Sequence, residues 1–265
     1  MENQNQENKR DFYTHYNYID CLDDLIGKAS IKCSTKLNRG FLPDIKTKEN
    51  LINLTKRSLE DEYDIVQIDK GYSYASTSWL PIKSYYLIFN QLLTISYIFS
   101  KQKKSFSMTH RKCIEQFTTK LKRGEIRFNN PILNQVMEST IFSHSDAPGS
   151  NMDRRISLPR RYDWLMGKIA EYKLLDWKKK NNVDNFRTKI NQDKKKDYLS
   201  NFNLSIFEFP YYMRIRSNYR DFAFIDGVSD SETAKYFYSY YNFTMNFYDI
   251  LVRLEKDLLV MRGVR

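Results

Sequence analysis

Apolar residues in this chain recur three and four positions apart over long stretches, whereas strict alternation is confined to a few short ones. The first spacing puts side chains on one face of a helix, the second on one face of a strand. Leu87, Ile88, Leu92, Ile95 and Phe99 keep the helical spacing, which predicts a long core helix over 78–101. Ser78 would cap it, and Pro81 would fall in the first turn, where a missing N–H does little harm. A second helix is predicted over 109–123. Lys120, Lys122 and Arg123 complement the dipole of its last turn, and Gly124 can take the left-handed conformation that stops it. Phe237, Tyr240, Tyr241, Phe247, Leu251, Leu254 and Leu258 form a stripe along a third, over 229–261, opened by Ser229 and Glu232 at capping-box spacing. Helices over 163–180 and 211–226, with shorter ones near 18–30 and 48–58, complete the set. Glu125–Phe128 has the length of one short strand, 64–73 reads as a strand or an irregular connector, and 40–46 and 143–161 read as loops. Residues 1–10 are polar and predict a disordered tail, and 181–197 reads as an exposed helix or a mobile linker. The expected fold is mostly α: a helical bundle with long core helices and at most one or two short strands, forming a single domain over 11–265.

Composition agrees. In 265 residues, 41% hydrophobic and 15% aromatic content suffices for a packed core, and 8 glycines and 6 prolines are few for an all-β chain full of tight turns. Trp79–Phe99 is the most apolar stretch, but Pro81, Lys83, Asn90 and Gln91 would be costly in hydrocarbon, so it reads as a buried helix and no membrane partner is expected. Cys21, Cys33 and Cys113 are scattered, which argues against a disulfide framework or a thiolate metal site. With a polar N-terminus lacking the apolar core of a signal peptide, they point to the cytoplasm. The net charge of +11 favours a polyanionic partner. Lys, Asn, Ile, Tyr and Phe are all abundant, as in a chain from an AT-rich genome, so clustered arginines weigh more than the lysine excess.

The arginines cluster most regularly in Tyr211–Asp226, YYMRIRSNYRDFAFID. On a helix, Tyr212, Ile215, Tyr219 and Phe222 share one face, and Arg216 and Arg220 project from the opposite one, a turn apart. Two guanidiniums so placed can hold adjacent phosphates bidentately. Arg214, Asn218 and Asp221 fall along one flank as a polar cluster, which would serve a ligand or be paired within the protein. Arg154, Arg155, Arg160 and Arg161 bracket a Ser/Pro loop, either as phosphate-backbone contacts or as solvated loop charges. His15, His110 and His144 are too far apart for a metal site, and His110 reads as an exposed or capping residue. Asp163 with Glu171 and Lys173 echoes the carboxylates and lysine of Mg²⁺-dependent nucleases. That spacing shares a face on a strand, whereas the surrounding pattern is helical. No Walker, dinucleotide or nucleophile-elbow motif is present, and neither a metal nor a cofactor is expected.

Long Tyr-rich helices followed by a late Arg-polar segment resemble the HEPN superfamily of prokaryotic defence and toxin–antitoxin proteins. The resemblance implies a helical fold, an RNA partner, a dimer and a metal-independent endoribonuclease site made of an arginine, the polar residue after it and a histidine. Arg220 and Asp221 match the first two positions, and the third falls at Asp226, which cannot act as an imidazole near neutral pH unless its pKa is strongly raised. Arg10, Asp11 and His15 also have the spacing, a match that 17 arginines and three histidines produce readily by chance. The expectation is therefore a protein that holds nucleic acid, RNA rather than DNA, in a defence setting. Arg214, Arg216 and Asn218 would contact the strand, and Arg220, Asp221 and Asp226 would form the catalytic group if the protein is an enzyme. The alternative is a non-catalytic assembly subunit whose aromatic stripe over Tyr236–Tyr248 buries against a helical partner or a second copy.

Overall fold

The computed structural model describes residues 2–137, 156–218 and 225–264. Along these residues run α1 (Glu2–Ile26), β1 (Ile31–Cys33), α2 (Glu49–Ile68), α3 (Ser73–Ser100), α4 (His110–Lys122), β2 (Ile126–Phe128), α5 (Leu158–Lys180), α6 (Lys189–Ser200), α7 (Glu208–Asn218) and α8 (Asp230–Arg262). The two strands pair antiparallel, Ile31 opposite Phe128 and Cys33 opposite Ile126. The molecule is thus a mostly α bundle with one minimal sheet.

A helix apolar on all sides has to be surrounded, and α3 is continuously buried from Leu87 to Ile98. Its main neighbour is α8. Ser73 Oγ donates to the Asp230 carbonyl at 3.2 Å, Thr244 Oγ1 to Ser84 Oγ at 2.9 Å, and Gln91 Nε2 to Glu255 Oε2 at 2.5 Å. These contacts advance together, so α3 and α8 run parallel. α1 lies on α8 in the same sense, with Phe12 against Tyr236 and Asn246 donating to Asp23 at 3.2 Å. α2 folds back on both: Lys83 reaches Glu62 at 2.7 Å, and Tyr63 stacks on Tyr241. Tyr236, Phe237, Tyr240, Phe243 and Phe247 are all buried in this core. The aromatic stripe of α8 is consumed by the fold and is not a surface for a partner.

The boundaries differ from expectation where packing overrides local signals. α3 begins at Ser73 rather than near Ser78, because Ser73, Ser76 and Thr77 pack into the core; Pro81 accordingly lies inside the helix, and Ser78 Oγ bonds the Ala75 carbonyl within it. α1 extends back to Glu2 in place of a tail, its apolar face running through Phe12, Ile19, Leu22 and Ile26. α2 continues to Ile68 through the stretch that reads as a strand or connector, and α5 starts at Leu158 with Pro159 in its first turn. Of the two readings for 181–197, its second half forms the exposed helix α6, which buries no residue. Ser229 and Glu232 do form the capping box that opens α8, and Thr109 caps α4.

The parallel pair closes on Arg262. From the last turn of α8, its buried guanidinium donates to the Ile98 carbonyl at 2.9 and 2.7 Å, to Phe99 at 2.5 Å and to Asn38 at 2.6 Å. Each of these carbonyls loses its donor in Arg262→Met, so that variant should lose about 3 kcal/mol in chemical denaturation. The exposed Arg253→Met on the same helix should lose less than about 0.5 kcal/mol. Equal stability of the two variants would remove Arg262 from this role.

Candidate nucleic-acid interface

The arginines expected to face a ligand are mostly engaged within the protein. Arg161 is 3% exposed and ties α5 to α1, donating to the Asn17 carbonyl at 2.9 Å and pairing with Asp20 at 3.0 Å. It is a structural cation, not a backbone contact. Arg160, one residue earlier, is exposed and lies over the Trp164 ring at 5.1 Å. Arg216 does not project outward. It reaches across to α1, bonding His15 Nε2, and donates to the Tyr212 hydroxyl at 3.2 Å. On α7 the side chain of Arg216 lies on the face toward α1. Arg214 sits on the rings of Tyr85 and Tyr86. Asp226 occupies an exposed turn beyond α7, where the Tyr74 hydroxyl donates to it at 2.6 Å. Arg154, Arg155, Arg220, Asp221, His144 and the side chain of Asn218 lie outside the described residues. Of the expected catalytic group Arg220, Asp221 and Asp226, only Asp226 lies among the described residues.

His110 is also not the exposed cap that its position suggests. It is half-buried, its Nδ1 bonded to the Tyr85 hydroxyl and its ring 4.4 Å from that of Phe89. Glu171 and Lys173 both lie on α5 and bond different partners, Lys168 at 3.0 Å and Glu208 at 2.6 Å, so they form no shared site. Among the described residues, no group of three or more His, Cys, Asp and Glu gathers to hold a metal ion, and no helix is long and apolar enough to cross a membrane.

Unpaired positive charge gathers instead on the hairpin of α5 and α6. Residues 177–200 carry eight cations against three acids, a net +5 of the chain's +11. Among the described residues only Lys180 of the eight is ion-paired, with Asp176 at 2.6 Å. A strip of rings holds the hairpin together: Trp177 stacks on Tyr198 at 4.8 Å and faces Phe186 at 6.4 Å, and Tyr198 meets the edge of Phe202 at 5.8 Å. Lys178 and Lys195 lie over Phe186 at 5.3 and 4.8 Å. Their stems can cover the apolar rings while the ammonium groups remain in water. Thr188 caps α6, accepting from the Asn191 N–H at 3.3 Å.

Between this hairpin and α4 lies an open cleft of about 760 Å³, with Arg111, Lys122, Lys173 and Lys194 on its walls. Glu208 is held there by Lys173, and Glu115 by Arg111 at 2.7 Å. Burial pushes the Tyr198 phenol up to about 12, so it stays protonated. The runs Lys178–Lys180 and Lys194–Lys196, with Trp177, Phe186 and Tyr198 interleaved, carried this signal in the sequence. Fold and surface together define an α-helical bundle that displays a basic hairpin. Comparison with family models, with curated proteins and with solved structures finds no match to this chain.

The bond from Arg216 has a pH consequence. A guanidinium only donates, so His15 Nε2 accepts and the ring is neutral. Burial first, then the charges of Arg216 and Lys168, holds its pKa well below the usual histidine value. The unfolded chain takes up a proton at His15 below about pH 6.5 that the folded chain does not. The stability this depression contributes is therefore present above that pH and lost on acidification. In His15→Gln, whose amide oxygen can still accept from Arg216, the fall in Tm between about pH 7.5 and about pH 5 should be smaller than in the parent. An identical fall would show that His15 is not the titrating group.

Proposed function

We propose that the chain is a cytoplasmic nucleic-acid-binding protein that grips the phosphate backbone with the α5–α6 hairpin. The observation that carries the reading is that seven of the eight cations over 177–200 have no ion pair among the described residues, spread over the last turn of α5, the connection and the exposed helix α6. Such a surface binds by releasing counterions and reads little sequence. The cleft beside it adds Arg111 and Lys122 on its walls. The resemblance to HEPN proteins makes RNA the expected strand and prokaryotic defence the expected setting. Cleavage is not part of this reading: the histidine position of the resemblance holds Asp226, an exposed carboxylate that accepts from Tyr74.

The test is the salt dependence of binding to a labelled single-stranded RNA. Replacing Lys178, Lys179, Lys180, Lys194, Lys195 and Lys196 by Gln removes up to six phosphate contacts, which should lower the slope of log K against log salt by about 4. Because these side chains are exposed or only partly buried, the variant should keep the parent's Tm. An unchanged slope and affinity in the folded variant would overturn the assignment, and parallel titrations with DNA of the same sequence decide the preference between strands.

A further inference from the structure

Arg214 is a half-buried cation with no ion-pair partner among the described residues. Its guanidinium carbon lies 5.2 Å from the ring centre of Tyr85 and 5.3 Å from that of Tyr86. Its buried Nε has no hydrogen-bond partner, and no ion pair reaches the side chain among the described residues. Among the described residues, the elements that pack around it have no acid left to give. α3 contains neither Asp nor Glu. Glu208, the one acid of α7, is bound by Lys173 at 2.6 Å, and Glu115, the one acid of α4, by Arg111 at 2.7 Å. Rings attract a guanidinium, yet they satisfy none of its five N–H donors.

A second donor stands on the same ring. The His110 ring centre is 5.3 Å from that of Tyr85, and its Nδ1 is bonded to the Tyr85 hydroxyl. Burial raises the pKa of that phenol far out of reach, so it keeps its proton and donates it to Nδ1. The imidazole proton is then on Nε2. Burial, and next the charge of Arg214, lowers the pKa of His110 and keeps the ring neutral. Tyr211 lines the other side, its ring centre 6.0 Å from that of His110. The result is a guanidinium and an imidazole N–H beside one another, on an aromatic backing, with donors and no carboxylate acceptor among the described residues. A partly buried donor left unmet is costly, and an anion that accepts from both groups removes the cost.

We propose that Arg214, backed by Tyr85 and Tyr86 and flanked by His110, is a seat for a single phosphate group, carried by a free nucleotide or by the 5′ end of a nucleic-acid strand. The seat uses α3, α4 and α7 and does not require the α5–α6 hairpin to bind nucleic acid.

The His110 ring resonance reports on the seat directly. Inorganic phosphate, AMP and a short RNA with either a 5′-phosphate or a 5′-hydroxyl are titrated at constant ionic strength, with chloride as the control anion. A saturable shift of the His110 resonance with phosphate but not with chloride is expected. Arg214→Gln should weaken it at least about tenfold, and Arg214→Lys, which keeps the charge but not the fork, should fall between. Tighter binding of AMP than of phosphate, with no preference between the two RNAs, assigns the seat to a free nucleotide. A preference for the 5′-phosphorylated RNA assigns it to a strand end. No saturable shift with any probe in the parent protein, or undiminished phosphate binding by a folded Arg214→Gln, overturns the proposal. Both results are independent of the hairpin lysines, so they leave the salt-slope test standing.

Discussion

The parallel alignment of α3 and α8 is the constraint from which the rest of the structure follows. Two helices side by side in the same sense bring like ends of their dipoles together, so the arrangement needs compensation at both ends. At the N-terminal end, Asp230 and Glu232 lie in the first turn of α8, and the Asp230 carbonyl accepts from Ser73. At the C-terminal end, one cation serves both helices. Arg262 lies in the last turn of α8 and satisfies carbonyls at the end of α3 that have no intrahelical donor. Between the ends, a hydroxyl pair, Ser84 and Thr244, takes the place of larger side chains. A parallel pair also cannot be joined by a short turn. The chain between residues 101 and 229 has to travel back, and α4 to α7 are built from that return path.

Arginine and lysine divide the molecule between them. Arg161, Arg216 and Arg262 act as multi-donor cross-links between elements, each satisfying carbonyl, carboxylate, imidazole or hydroxyl acceptors in the interior. The guanidinium suits this because it is weakly hydrated and presents five donors in a fixed plane. Lysines, more strongly hydrated, remain on the surface of α5 and α6. Among the described residues, clustered arginine therefore marks internal cross-links as readily as an exposed surface. Among the described residues, the hairpin lysines other than Lys180 and the half-buried Arg214 carry no ion pair.

What could be read from the sequence follows the same division. Helical periodicity located α3, α4, α5 and α8 because each has an apolar face long enough to dominate local signals, and the capping box at Ser229 marked a true helix start. The ends of α1 and α3 were not legible, since they depend on which residues meet across the bundle rather than on caps. Neither was the inward turn of Arg216, because a helical wheel gives the angle of a side chain but not which neighbour stands at that angle. His15, 201 positions away in sequence, is that neighbour. The hairpin was legible in principle: two lysine runs separated by an aromatic and a Thr cap describe an exposed helix returning on another. The ambiguity was whether α6 would form at all without a buried face, and the rings of Trp177, Phe186 and Tyr198 resolve it by giving the hairpin a small core of its own.

The position of α4 relates the two unanswered sets of charge. Arg111 lies on the wall of the cleft next to the hairpin, and His110, its neighbour in the chain, belongs to the cluster with Arg214. Successive residues on a helix point about 100° apart, so the first turn of α4 faces both regions at once. That turn carries no acid, although helix N-termini ordinarily favour one. Instead it holds Arg111 and Lys112 beside a neutral His110, and the two cations oppose the dipole and gain nothing for the isolated helix. Arg111 offsets part of this through Glu115, one turn along. An anion in the proposed Arg214 seat would offset the remainder, and that would be the physical link between the proposed seat and the basic hairpin beside it.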